Sequence, residues 1–229
     1  MRSRFDLLKK AYRTVVPAFI RKSRPARRVA AMVPRLLGHD NVYDQNYYAK
    51  HVDGPAAQSS AAMSETIVNE FHPRSVVDVG CGSGYLLMVL KDRGLDVFGL
   101  EYAEAGLEYC RSRGLDVRKF DLENDTFTDV RKFDVAVSVE VAEHLPPKIA
   151  DSYVDLLTRL ADRVVFTAAP PGQGGRDHVN EQPPAYWIEK FAARKFTHDV
   201  PVSNAWREQW KTGGVQDWYY KNLMIFRRA

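Results

Sequence analysis

From residue 43 onward, short runs of β-branched and apolar residues alternate with segments whose apolar positions recur at helical spacing. Ser75–Val79, Asp96–Leu100, Asp116–Phe120, Phe133–Ser138, Arg163–Ala169 and Leu223–Arg227 predict strands, and a weaker run near Thr197–Val202 predicts a partner for the last of them. Tyr85–Arg93, Ala105–Arg113 and Ile149–Ala161 predict helices, and a further helix-like run begins at Tyr186 and Trp187 and continues through Phe191. Strand and helix in alternation predict an α/β domain with a parallel sheet and crossover helices.

Residues 1–42 follow a different pattern. Phe5, Leu8, Tyr12, Val15, Val16 and Phe19 form an apolar stripe at helical spacing, with Arg4, Lys9, Lys10 and Arg13 largely off it, and Pro17 ends or bends the helix. The chain therefore divides into a basic amphipathic extension, 1–42, and a main domain, 43–229. Charge sharpens the division: the overall +4 is the sum of +10 over residues 1–39 and −6 over the remainder. A basic arm on an acidic body points to an anionic partner, a membrane surface before RNA. The same stripe would equally pack on the protein's own core or on a second subunit, and an Arg-rich, acid-poor start also has the look of a mitochondrial transit peptide. No run of about 18 apolar residues occurs, so no membrane span is expected. Cys81 and Cys110 lack metal-type spacing and are expected to be buried and reduced, which places the protein in the cytoplasm, with peripheral membrane contact through the arm.

The most informative segment is Ser75-Val-Val-Asp78-Val-Gly80-Cys81-Gly82-Ser-Gly84, an apolar strand running into Gly-x-Gly-x-Gly and then a helix. Glycines at such a turn let the backbone bend sharply and approach a ligand, which then meets free N–H groups at the helix start. Glu101 ends the second strand, where a carboxylate can accept from both hydroxyls of a ribose. Asp121-Leu122 follows the third, where a short acid can accept from an adenine amino group beside an apolar wall. In order and spacing, Asp78 to Gly84, Glu101, Asp121-Leu122 and Phe133-Asp134 resemble the class I methyltransferases that bind S-adenosylmethionine. The resemblance covers roughly residues 45–229. It implies a Rossmann-like doubly wound, mostly parallel seven-stranded sheet. It also implies that Gly80 and Gly82 pass under the methionine part of the cofactor, with Asp78 near its amino group, Glu101 on the ribose and Asp121 at the adenine. Cys81, Gly84, Tyr102, Leu122 and Glu140 complete the expected cofactor lining.

Methyl transfer from a sulfonium to a hydroxyl needs an aligned nucleophile and a means of drawing off its proton. Glu140-Val-Ala-Glu143-His144-Leu-Pro follows strand four, where this fold opens its active site. On a helical turn, residues at i, i+3 and i+4 share one face, and two carboxylates with an imidazole could hold Mg²⁺, Mn²⁺, Fe²⁺ or Zn²⁺. This element resembles the ubiquinone-biosynthesis O-methyltransferases and the small-RNA 2′-O-methyltransferases, and His178, in the Gly-rich loop after strand five, is the candidate fourth ligand. The alternative reading keeps Glu143, His144 and His178 in the active site without metal, His144 serving as general base. Tyr43, Tyr47 and Tyr48 either close over the cofactor or pack a helix on the sheet. Strand four is followed by no Asn/Asp-Pro-Pro-Tyr/Phe element of the kind that grips amines, which favours an oxygen nucleophile. The expected reaction is O-methylation of a small molecule, a sugar or a lipid-linked acceptor. Methylation of an RNA ribose, and cofactor binding by a non-catalytic regulator, are the alternatives.

Overall fold

The computed structural model describes residues 43–229, so the stripe and basic extension of residues 1–42 lie outside the described residues. Seven strands form one sheet: β1 (Ser75–Val79), β2 (Asp96–Glu101), β3 (Val117–Lys119), β4 (Val135–Val139), β5 (Arg163–Thr167), β6 (Phe196–His198) and β7 (Met224–Arg228). Their order across the sheet is β3-β2-β1-β4-β5-β7-β6. β7 pairs antiparallel with β5 and with β6, and the other pairings are parallel. The mostly parallel, doubly wound α/β fold implied by the sequence is the one observed.

The central strands are buried on both faces, which is why they read as short, mostly apolar runs. Alternate residues feed two cores. Val77, Phe98, Ala136, Phe166 and Phe226 face one side, under the helices Ala150–Leu160 and Pro184–Ala192. Val76, Val97, Val135, Val165 and Ile225 face the other, under Asp53–Phe71, Tyr85–Asp92 and Val200–Thr212. In chain order, the helices of six residues or more among the described residues are α1 (Asp53–Phe71), α2 (Tyr85–Asp92), α3 (Glu104–Ser112), α4 (Ala150–Leu160), α5 (Pro184–Ala192), α6 (Val200–Thr212) and α7 (Asp217–Asn222).

Two local expectations need correction. The weak strand near Thr197–Val202 is only Phe196–His198; it does pair with the last strand, but Val200 onward is helix. Asp199 caps that helix by accepting from the Val202 N–H, and Pro201 lies in its first turn, where a missing N–H costs nothing. The turn after β4 is also not a regular helix. Glu140 has φ +54 and stands outside the single 3₁₀ turn Ala142–His144, so Glu140 and the Glu143–His144 pair do not share a helical face.

The strand order reverses between β1 and β4. At such a reversal the crossovers leave in opposite directions, and a crevice opens beyond the carboxyl ends of the strands.

Candidate active site

A single cleft of about 1290 Å³ occupies that crevice. One pole is the glycine turn. Gly80, Gly82 and Gly84 have φ of +80, +58 and +71, a backbone that other residues adopt only with strain. The N–H groups of Gly80 and Cys81 both bond the Leu100 carbonyl, fastening the turn to β2 (2.8 and 3.1 Å). Glu101, at the end of β2, accepts from the Gly82 N–H on one oxygen (2.8 Å) and from the Tyr102 and Ala103 N–H groups on the other (2.8 and 2.7 Å). Burial raises its carboxyl pKa, and those backbone bonds oppose the rise. Asp78, 6% exposed, is pushed up to about 7 by burial and then by the charge of Glu101. Tyr48 packs beside Glu101, stacked on Tyr109 with ring centroids 6.2 Å apart.

Asp78, Gly80, Cys81, Gly82, Glu101, Tyr102, Asp121 and Leu122 all line the cleft. Gly84 does not: a side chain there would strike Cys110 Sγ and Leu115, so its place is in the packing of α2 on α3. Cys81 and Cys110 are buried free thiols with sulfurs 3.9 Å apart. Asp121 accepts from the Glu123 N–H and the Asn124 side-chain amide, both at 2.8 Å, which fixes the turn after β3.

The other pole follows β4. Glu143 is fully buried, and neither carboxylate oxygen has a hydrogen-bond partner. Burial, and after it the charge of Glu140, push its carboxyl well above the ordinary range. His144 and His178 stand beside it, their rings perpendicular with centroids 4.9 Å apart. One donor atom from each of Glu143, His144 and His178 lies within 4.8 Å of the others, a grouping that could hold a metal ion. Glu140 is not part of this group. Its carboxylate accepts from Thr167 Oγ1 (2.8 Å), Gln173 Nε2 (2.8 Å) and Asn222 Nδ2 (3.1 Å), a clasp that joins the ends of β4, β5 and α7.

The contacts that surround the two histidines were not foreseen in the sequence. The Tyr43 hydroxyl pairs with His144 Nδ1 at 3.2 Å. The Glu181 carboxylate takes His178 Nδ1 (3.0 Å) and the Gly172 and Gly174 N–H groups (2.8 and 2.6 Å). Burial opposes ionisation of Glu181, but these bonds outweigh it and hold the carboxyl below its usual range. The Val179 and Asn180 N–H groups bond the Glu143 carbonyl (2.9 and 3.0 Å), tying the loop to the turn after β4. For Glu181 a signal was present, an acid three residues after His178. For Tyr43 and Glu143 only the fold makes the pairing visible.

Three comparisons bear on this site. The family model for methionine biosynthesis protein MetW matches residues 63–172. A ubiquinone biosynthesis O-methyltransferase of Methylococcus capsulatus is 37% identical over 94 residues, 38% of this chain and 39% of the relative. Another, of Alkalilimnicola ehrlichii, is 24% identical over 67% of this chain and 62% of its own length. The chain thus spans less than two thirds of these curated relatives. Among solved structures, the magnesium protoporphyrin IX methyltransferase of Synechocystis with bound S-adenosylmethionine superposes with a TM-score of 0.59 at 16% identity. That match covers 100% of this chain and 99% of the other.

Proposed function

We propose that this chain, which belongs to the class I S-adenosylmethionine-dependent methyltransferases, methylates a hydroxyl oxygen of a small-molecule or lipid-linked acceptor. The observation that carries the oxygen acceptor is the second pole of the cleft: a buried, unpartnered carboxylate beside two imidazoles, facing the same space as the glycine turn. Names of the sequence relatives, ubiquinone biosynthesis O-methyltransferases, support the same class of acceptor.

In this reading the glycine turn receives the methionine part of the cofactor, Asp78 its ammonium and Glu101 the ribose hydroxyls. Asp121 and Leu122 receive the adenine. Glu143, His144 and His178 would then face the reacting end of the cofactor across the same cleft. S-adenosylmethionine, when bound, would supply the methyl group, and its transfer to a hydroxyl would leave a methyl ether, S-adenosylhomocysteine and one proton for these residues to receive. Holding the two reactants in line supplies much of the acceleration, and removing the hydroxyl proton supplies the rest.

A divalent cation fits this pole. A fully buried carboxylate with two unsatisfied oxygens is costly unless something positive completes it. The two flanking imidazoles are each oriented through Nδ1, by Tyr43 and by Glu181, as metal-ligating histidines usually are. Glu143, His144 and His178 would hold the ion, which when bound supplies a Lewis acid that lowers the hydroxyl pKa. Glu140 would stay in its clasp and shape the wall between cofactor and acceptor.

The test is calorimetric titration of S-adenosylhomocysteine and, separately, of Mn²⁺ or Zn²⁺, on the wild type and on Glu143→Ala. Cofactor-product binding is expected in both proteins and ion binding in the wild type alone. Absence of S-adenosylhomocysteine binding by the wild type would overturn the methyltransferase reading. Ion binding that survives Glu143→Ala would overturn the assignment of that pole.

A further inference from the structure

The loop from β5 to α5 carries Gly172, Gly174 and Gly175, and glycines on their own give a chain no preferred conformation. Glu181 supplies the missing order. Its two oxygens accept from the Gly172 N–H (2.8 Å), the Gly174 N–H (2.6 Å) and His178 Nδ1 (3.0 Å). A carboxylate has only acceptors to offer, so the ring nitrogen that meets it must carry the proton. A neutral imidazole protonated at Nδ1 keeps its lone pair at Nε2.

Two further features hold the ring in place. A side chain at Gly175 would lie 2.1 Å from His178 Nε2 and 2.5 Å from Cε1, so the imidazole edge rests where only glycine leaves room. Immediately after His178, the Val179 and Asn180 N–H groups fasten the loop to the Glu143 carbonyl. The ring is thereby set against the pole of the cleft from three sides: Glu181, Gly175 and the strap to Glu143.

We infer that Glu181 is a positioning residue, fixing His178 as the Nδ1–H tautomer and reserving its Nε2 lone pair for a cation or for the acceptor's proton. The use made of Nε2 rests on the function proposed above, whereas the tautomer stands independently of it.

The experiment is ¹⁵N–¹H multiple-bond correlation NMR of the full chain labelled at histidine, at about pH 8, with His178 assigned by the loss of its signals in His178→Gln. The expected spectrum shows a protonated Nδ1 and an unprotonated Nε2. In Glu181→Ala the ring should revert toward the Nε2–H form that free imidazole side chains prefer. Zn²⁺ affinity should fall about 10–100-fold in that variant, the usual cost of removing an outer-shell partner. Gly175→Ala, which leaves Glu181 in place but crowds the ring, should weaken Zn²⁺ binding as well. A proton on Nε2 in the wild type would overturn the inference without recourse to any variant, and so would a Glu181→Ala spectrum unchanged at His178. Failure of the wild type to bind Zn²⁺ would count against the cation reading of the pole, with the tautomer still read from the same spectra.

Discussion

Asp78 and Glu143 are two buried acids in one cleft, and each implies a measurable linkage. Burial and then Glu101 push Asp78 up to about 7, so below that pH the unliganded protein holds a proton there. A cofactor ammonium beside it favours the carboxylate, and the proton must leave on binding. Affinity for S-adenosylhomocysteine should therefore tighten as pH rises, by up to about tenfold per unit below pH 7, and level off above it. Calorimetry at about pH 5.5–8.5 reads this directly; Asp78→Asn should bind more weakly and lose the slope, and a flat wild-type profile would refute the placement of the ammonium. Glu143 makes the opposite case. Its oxygens have no partner and its side chain is fully buried, so an apolar side chain of similar size should suit the ion-free fold better. Glu143→Met is expected to stabilise that form by roughly 1–3 kcal/mol, the cost of an unsatisfied buried polar group. At about 2–4 °C per kcal/mol for a chain of this size the gain is visible in a melt, and the same variant should lose ion binding. An unchanged or lower melting temperature would mean that the Ala169 N–H and the neighbouring Glu140 already satisfy this carboxyl.

At the level of elements, what the sequence discloses depends on where each element's partners lie. The strands are legible because a parallel strand buried on both faces is mostly apolar, and β1, β2 and β4 are so apart from Ser75, Asp78, Asp96, Glu101 and Ser138. Helix α1 is not, since Asp53-Gly-Pro-Ala-Ala-Gln-Ser-Ser-Ala-Ala carries no clear stripe. Alongside Met63, Ile67 and Phe71 it buries Ser59, Ser60, Ser64 and Thr66 against its neighbours. Helix α6 was hidden by a β-rich run ahead of it, although Asp199 and Pro201 gave its start. The two elements explain each other: Trp210 of α6 is fully buried and donates its indole N–H to Thr66 Oγ1 of α1 at 2.7 Å, with Trp206 beside it. Trp210→Ala should cost about 3–5 kcal/mol, the range for emptying a large aromatic site. Denaturant unfolding checks it, and a loss under about 1 kcal/mol would show that α6 contributes little to the fold. The site divides in the same way. The glycine turn, Glu101 and Asp121 stand within short segments and were legible there as one lining of the cleft. The roles of Tyr43, Gln173, Glu181 and Asn222 depend on contacts made only when distant loops meet.

The fold sets where this cleft lies, and the charge distribution bears on what brings an acceptor to it. Among the described residues no helix is long and apolar enough to cross a membrane. Residues 1–39 carry +10 while the remainder of the chain carries −6. An acidic body is repelled by an anionic surface, so any attraction must come through the arm. Each Lys or Arg near an anionic leaflet contributes about 1 kcal/mol, and the effect fades within a Debye length, about 10 Å at 0.1 M salt. With an excess of ten positive charges in the arm, even partial engagement exceeds the few kcal/mol needed for reversible attachment. The full chain should therefore float with vesicles rich in phosphatidylserine at low salt and not with neutral vesicles. A chain lacking residues 1–39 should remain in the dense fraction with both. Salt separates the two sources of attraction: release at about 0.5 M would mark electrostatic adhesion, and retention would mean that the stripe of Phe5, Leu8, Tyr12, Val15, Val16 and Phe19 enters the bilayer. Equal flotation of the full and shortened chains would remove the membrane from this protein's function and return the arm to a partner within the protein or its oligomer.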